Sequence, residues 1–269
     1  MLLTVDIGNT NIVAGVFDGD VLRTTWRLST DTRRMPDEYS VVLRSLFEIA
    51  RIDSHEISGV AICSVVPTAQ SMLADAIRAM WGIEPLLLTT DLDLGIEIRY
   101  SPVTSVGADR LANALAAVQF YGAPAVIVDF GTATTFDAIS ADGAYIGGAI
   151  APGLEVSEEA LVVHTAKLPR VPLIPPEVAI GRNTTESLQA GLLYGYGGLV
   201  DGLVERFVHD LGPNTHVIAT GGLAEIVKPC TRTITVVDPG LTLQGLRLLY
   251  TRLNDHASSP RTREDQPVA

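Results

Sequence analysis

Cysteine, lysine and histidine are scarce or scattered in this sequence, and each shortage removes a class of chemistry. Only Cys63 and Cys230 are present, one inside an apolar run and one after Lys228-Pro229, and their ordinary reading is as buried, reduced thiols. The five histidines, His55, His164, His209, His216 and His256, have no metal-ligand spacing, which leaves a zinc site without support. Of the 19 basic residues only Lys167 and Lys228 are lysines. Neither completes a Gly-x-x-x-x-Gly-Lys-Ser/Thr pattern, so the usual phosphate-binding loop is missing. Positive charge is short altogether: 19 Lys and Arg face 31 Asp and Glu, a formal charge of −12. Nucleic-acid backbones need a basic surface, so no nucleic-acid partner is expected and a small substrate is. No apolar run approaches the roughly 18 residues of a membrane span, and no basic segment leads into an apolar one at the start. A soluble, cytoplasmic protein with no membrane partner is expected.

What is present is a large apolar fraction, 47% of 269 residues, enough for one large domain or two smaller lobes. Residues 2–5 and 12–17 read as strands, Asp18-Gly19-Asp20 as a hairpin turn and 21–28 as a third strand. Pro36 opens a helical pattern in which Tyr39, Val42, Leu43, Leu46 and Ile49 share one face. A strand over 57–66, a helix over 67–81 and a strand over 85–88 follow, giving the order βββαβαβ.

The order then begins again. An apolar strand at 125–128 runs into "DFGTATTFDAISADGAYIGG", with a hairpin turn at Asp142-Gly143. With Asp6 laid over Asp129, Gly8 falls on Gly131 and the hairpin turns agree within one residue, so an internal duplication is the economical explanation. Helices from 185 to about 210, strands at 216–220 and 233–237 and a closing helix over about 241–253 complete the pattern. The division expected is an N-terminal lobe over 1–118, a C-terminal lobe over 119–255 and a tail over 256–269. The tail, "HASSPRTREDQPVA", is polar and proline-containing and is expected to be disordered.

Both copies place an Asp at a strand end, then a Gly that lets a backbone approach closely, then small hydrogen-bonding side chains. These are Asn9, Thr10 and Asn11 in the first copy and Thr132, Thr134 and Thr135 in the second. Backbone amides at such a turn bind phosphate, and a nearby carboxylate holds Mg²⁺ directly or through water, so two facing turns form a clamp. A single Asp-x-Gly is more often plain turn chemistry. Two at matching places in a duplicated unit weigh against that.

The motifs carry a resemblance. "DIGNTN" at 6–11, "GADR" at 107–110, "DFGTATT" at 129–135, "GGAIAPG" at 147–153, "GRNTTESLQAG" at 181–191 and "TGGLAE" at 220–225 are similar, in order and spacing, to those of the type III pantothenate kinases. That family has the actin, hexokinase and Hsp70 type of ATPase fold: α/β, with duplicated ribonuclease H-like lobes, each βββαβαβα, and a nucleotide cleft between them. The resemblance runs from Met1 to about Leu253. It implies ATP-dependent phosphorylation of pantothenate to 4′-phosphopantothenate, the entry step to coenzyme A, in a homodimer.

Roles follow from the same resemblance. Asp109 is implied as the base that takes the proton of pantothenate's primary hydroxyl; from the residues alone it is equally an acid favoured by a helix N-terminus. Arg110 is implied as a contact to substrate or phosphate, against the reading of an ordinary solvated arginine. Asp6, with Gly8, Asn9, Thr10 and Asn11, is implied to position Mg²⁺ and ATP, and Thr132 to touch ATP phosphate. Asp129 is implied as the ligand of a monovalent cation, K⁺ or NH₄⁺, the alternative being a second carboxylate on the Mg²⁺ side. Tyr100 and Thr184 match substrate-binding positions, with Gly107, Ala108, Asp109 and Arg110 as the wall between them; Tyr100 as a plain core aromatic is the competing reading. "TGG" at 220–222 falls where adenosine meets this fold, although a simple strand-to-helix turn explains it equally. The helices after Asn183 are placed at the family's dimer interface, which would bring substrate residues near a subunit boundary. Another small-molecule kinase, a polyphosphate-type phosphatase and a non-catalytic nucleotide-binding regulator are the alternatives on the same fold.

Overall fold

The computed structural model describes residues 1–258. Three antiparallel strands open it: β1 (Leu2–Ile7), β2 (Asn11–Asp18) and β3 (Val21–Ser29). Their β-branched and aliphatic content favours a pleated, half-buried surface. Pro36 starts α1 (Pro36–Ala50) and Pro67 starts α2 (Pro67–Trp81), each at the helix position where a missing N–H costs nothing. The helices carry the chain back so that β4 (Gly59–Ser64) pairs parallel with β1 and β5 (Leu86–Leu87) with β4. The sheet order is β3-β2-β1-β4-β5.

After α3 (Ala108–Tyr121) the plan repeats with β6 (Ala125–Phe130), β7 (Ala133–Ile139) and β8 (Tyr145–Pro152). Next come α4 (Leu154–His164), α5 (Thr184–Gln189), one π-helical turn (Ala190–Tyr194) and α6 (Gly195–Leu211). The chain ends with β9 (His216–Thr220), α7 (Ala224–Val227), β10 (Val236–Val237) and α8 (Leu241–Ser258). The second sheet is β8-β7-β6-β9-β10, the same topology as the first. Asp6 and Asp129 occupy equivalent places, next to last on the two central strands, facing Val13 and Thr135 on their antiparallel neighbours.

Each sheet buries its outer face under its own helices, and a third apolar cluster lies between the lobes. That middle cluster joins Ala61 and Cys63 of β4, Ala125 and Ile127 of β6, and the facing sides of α3 and α8. Helix α3 is buried without interruption from Arg110 to Ala117, as its run of alanines permits, since a helix apolar all round belongs inside. At the crossing of α3 and α8 a side chain on Gly245 would begin 1.9 Å from the Ala112 carbonyl oxygen, so the two backbones touch.

Several expectations need correction. Ile49 is 78% exposed. The buried line of α1 is Tyr39, Leu43 and Phe47, at spacing i, i+4, i+8, with Trp26 and Trp81 set edge-on to Phe47 at 4.9 and 5.6 Å. Helix α4 was not expected at all, and β10 is shorter than the run 233–237. Helix α3 continues to Tyr121, across the position 118 taken as the end of the first lobe. Helix α8 reaches Ser258, three residues into the tail expected to be disordered, and 259–269 lie outside the described residues. Cys63 is buried, but Cys230 is only half-buried. No helix among the described residues is long and apolar enough to cross a membrane.

Candidate active site

A cleft of about 440 Å³ opens between the two sheets, where the ends of β1 and β6 face each other. The first loop contributes Asp6, Gly8, Asn9, Thr10 and Asn11, the second Asp129, Gly131 and Thr132, and the start of α3 supplies Gly107, Asp109 and Arg110. Most residues singled out in the sequence therefore meet in one place. Tyr100, Ala108 and Thr184 do not line the cleft. Tyr100 packs edge-on against Tyr145 at 6.1 Å, and Thr184 is exposed in the first turn of α5, beside the Asn183 side chain that caps that helix.

The first loop is closed by its own backbone. Gly8 N–H donates to the Asn11 carbonyl at 2.9 Å, and the Thr30 hydroxyl donates to the Gly8 carbonyl at 2.7 Å. In the second loop Gly153 N–H, just before α4, donates to the Thr132 carbonyl at 3.1 Å. The Thr10 and Thr132 hydroxyls lie 2.8 Å apart across the cleft. Gly221 of the "TGG" turn adopts φ +89°, and a side chain there would start 2.5 Å from Asp129 Oδ1, so only glycine suits this turn beside the carboxylate.

Asp129 and Asp6 are held by Asn113 and Cys63, neither of which sequence reasoning places at the site. Asn113 donates from Nδ2 to Asp129 Oδ2 at 2.9 Å and accepts from the Thr242 hydroxyl at 2.7 Å, tying α3 and α8 to β6. The Cys63 thiol donates to Asp6 Oδ1 at 3.3 Å from the adjacent strand. Asp109 Oδ1 accepts the Arg110 backbone N–H at 2.8 Å, and a side chain on Gly107 would begin 2.4 Å from that oxygen. Burial is the first cause that raises all three acids. With the charges of Asp109 and Asp129 added, Asp6 is pushed up to about 8. Asp129 is pushed up to about 7 by burial and the Asp109 charge, against the lowering pull of its Asn113 hydrogen bond. Asp109 is raised by burial, partly offset by its hydrogen bond from, and attraction to, Arg110.

Arg110 is 7% exposed, not a solvated arginine. Its Nε donates to the fully buried Asp137 at 2.7 Å. Arg27 of β3 also lines the cleft, near Gly222, and Glu155 enters from the first turn of α4. Arg27 and Glu155 carried no sequence signal beyond their residue type. Thus four carboxylates and two guanidiniums line the cleft. An excess of negative charge on the cleft wall is the condition under which a cation would be drawn in. Among the described residues no three His, Cys, Asp or Glu side chains stand close enough to hold a metal alone. This suits Mg²⁺, which characteristically takes one or two carboxylates and completes its shell with water and substrate phosphate.

The architecture is that of the actin and hexokinase type of ATPase, with duplicated lobes. Solved structures share it. One is described as a conserved putative Baf family transcriptional activator from Campylobacter jejuni, with TM-score 0.56, 18% identity and coverage of 94% of this chain and 99% of that one. Another is the activator of 2-hydroxyisocaproyl-CoA dehydratase from Clostridium difficile with bound ADPNP, at TM-score 0.54, 13% identity and coverage of 100% and 99%. At those identities they show the fold alone. Sequence relatives are much nearer. The type III pantothenate kinase of Moorella thermoacetica is 47% identical over 252 residues, 94% of this chain and 99% of the relative. That of Thermomicrobium roseum is 48% identical over 254 residues, 94% and 98%. The family model for type III pantothenate kinase matches residues 2–206. With 47% identity over nearly the full length of both chains and a family match over residues 2–206, the chain belongs to the type III pantothenate kinase family.

Proposed function

We propose that the chain transfers the γ-phosphoryl group of ATP to the primary hydroxyl of pantothenate, giving 4′-phosphopantothenate and ADP, the first step of coenzyme A biosynthesis. The observation that carries this reading is the position of Asp109, on the cleft wall beside the two Asp-x-Gly loops. Phosphoryl transfer asks mainly for positioning and charge neutralisation, plus a group to receive the acceptor's proton. Asp109 is that group, and its hydrogen bond from Arg110 N–H keeps one oxygen fixed. The backbone amides of the first loop, with Asn9, Thr10 and Asn11, receive the phosphates from one side, and Thr132 receives them from the other. Arg27 stands where it can offset phosphate charge near the "TGG" turn.

Asp6 would hold Mg²⁺, and Asp129 would hold K⁺ or NH₄⁺ or share the magnesium side. Bound there, the ions supply neutralisation of the phosphate oxygens. The raised affinity of both acids for protons expresses the same unmet demand for positive charge.

The finer reading of the assembly is a homodimer. Gly191, Gly195 and Gly198 have nothing within 4 Å of where a side chain would begin, and Gly202 meets only the Arg206 side chain. They form an open stripe along the π-turn and α6, beside exposed Tyr194 and Leu199. A second copy packed there would account for the stripe and would bring Thr184, exposed and outside the cleft, to the edge of a shared site with Tyr100.

The test is a coupled ADP-release assay with Mg²⁺-ATP and pantothenate, run with K⁺ and with Na⁺ as the only monovalent cation. Pantothenate-dependent release requiring K⁺ supports both acceptor and Asp129 assignments. Equal rates in Na⁺ remove the monovalent site, and no release in either ion from folded protein overturns the acceptor.

A further inference from the structure

Asp137 is a carboxylate with no exposure in the middle of β7, and nothing in the phosphate-transfer chemistry above uses it. Three donors converge on it. Arg110 Nε reaches Oδ1 at 2.7 Å, the Tyr145 hydroxyl reaches the same oxygen at 2.8 Å, and the Thr135 hydroxyl reaches Oδ2 at 3.3 Å. The Arg110 guanidinium carbon also lies 5.8 Å from the centroid of the Tyr145 ring, within range of a cation–π attraction. One nitrogen of Arg110 is therefore committed to the protein. Its two terminal nitrogens have no protein hydrogen-bond partner among the described residues, although the side chain is almost wholly buried on the cleft wall.

A buried ion pair is a poor way to stabilise a fold, because desolvating two charges cancels much of their attraction, and apolar residues of equal size often serve as well. What it does provide is direction. With Nε pinned to Asp137, the ring of Tyr145 alongside and Nη2 3.0 Å from where a side chain on Gly148 would begin, the guanidinium plane is set on the cleft wall that Asp109 also lines.

Tyr145 does a second thing. Its backbone N–H donates to the Glu97 carbonyl at 2.9 Å, and its carbonyl accepts Arg99 N–H at 2.8 Å, fastening the segment before Tyr100 to the start of β8. Its ring meets Tyr100 edge-on at 6.1 Å. One residue thus links the Tyr100 segment to the carboxylate that aims Arg110.

We propose that Asp137 and Tyr145 are positioning residues for the acceptor: they fix the Arg110 guanidinium over the oxygens of the acceptor molecule, with no contact of their own to either substrate. This rests on the reading of pantothenate as acceptor. The specific consequence is that disturbing them weakens the acceptor's binding and orientation and leaves the nucleotide alone.

The experiment measures KM for pantothenate, KM for ATP, kcat and melting temperature for wild type, Tyr145→Phe, Asp137→Asn, Arg110→Ala and the double variant Arg110→Ala/Tyr145→Phe. Tyr145→Phe keeps the ring and removes one hydrogen bond, so it stays informative if Asp137→Asn does not fold. The expected result is a rise in KM for pantothenate of about tenfold for Tyr145→Phe and more for Asp137→Asn, with KM for ATP within twofold of wild type. In the Arg110→Ala background Tyr145→Phe should add less than a twofold further rise, because its route of action is gone. Equal changes in both KM values, or a full tenfold effect surviving without Arg110, would overturn the proposal. Wild type that turns over no pantothenate overturns the acceptor reading instead, so the two failures are distinct.

Discussion

Thr10 and Thr132 meet across the cleft: their hydroxyls are 2.8 Å apart, although 122 residues separate them in the chain. One belongs to the loop after β1 and the other to the loop after β6, so the contact marks the place where the duplicated Asp-x-Gly loops converge. Both hydroxyls are exposed and can exchange this bond for one to a phosphate oxygen. Thr132→Val keeps the shape and removes the hydroxyl. A hydrogen bond of about 1 kcal/mol corresponds to a rise in KM for ATP of roughly fivefold, and Thr132→Ser should restore most of it. Initial rates against ATP at saturating pantothenate read this directly; an unchanged KM would remove Thr132 from phosphate binding.

Asp109→Asn is isosteric and retains an oxygen for the Arg110 N–H. As the base, Asp109 should contribute a factor of roughly 10² to 10⁴ in kcat, and the variant should melt no lower than wild type. Because burial raises its pKa, the acid limb of kcat/KM in wild type should lie above the ordinary carboxylate range. Turnover near wild type in the variant would transfer the base role to another group.

Asp6 and Asp129 set a pH dependence of stability. Their pKa values, about 8 and about 7 in the fold, exceed those in the unfolded chain, near 4. Between those limits the folded protein retains protons that the unfolded chain has released, so their contribution to stability is intact below about pH 4 and declines as pH rises towards 8. Melting temperature without ligands should therefore fall across pH 5–8, and Mg²⁺ with nucleotide should flatten the slope. Asp6→Asn, which removes one of the repelling charges, should melt about 4 °C or more above wild type at pH 8 while losing most activity. A pH-independent melting temperature in wild type would count against this electrostatic picture.

The glycine stripe on α6 gives a test of assembly. Gly198→Glu places a charge where nothing lies within 4 Å, and Glu is a better helix former than Gly. Monomer stability should hold or improve while the dimer dissociates, seen as a halved mass in sedimentation velocity. Pantothenate turnover should fall with the dimer if Thr184 acts across the boundary. A wild-type protein that sediments as a monomer would end this reading.

Much of this arrangement is legible in the residues. Asp-x-Gly at two strand ends, with matched hairpins downstream, specifies both loops of the cleft, because turn chemistry and strand alternation are local properties. The expected strand at 216–220 and helix at 67–81 agree with the structure for the same reason. What escapes is non-local. Asn113 reads as one polar residue in an alanine-rich helix, and only the meeting of α3, α8 and β6 gives it Asp129 and Thr242 as partners. Asp137 reads as the polar half of a strand alternation; it is buried because α3 covers that face and brings Arg110. Ile49 errs in the opposite direction: six residues on from Leu43, it sits about 120° round the helix from the buried line of Tyr39, Leu43 and Phe47, although Ile52 beyond it still packs into that cluster.

The bare backbone contact where Gly245 rests against Ala112 bears on how the cleft can change shape. A shift of one turn along α8 would set the side chain of Leu241 or Leu249, which share the face of Gly245, onto the Ala112 carbonyl, where there is no room for even a methyl group. The crossing therefore blocks sliding as a way of reshaping the cleft: α8 and α3 stay in the one register in which Thr242 meets Asn113 and Asn113 meets Asp129.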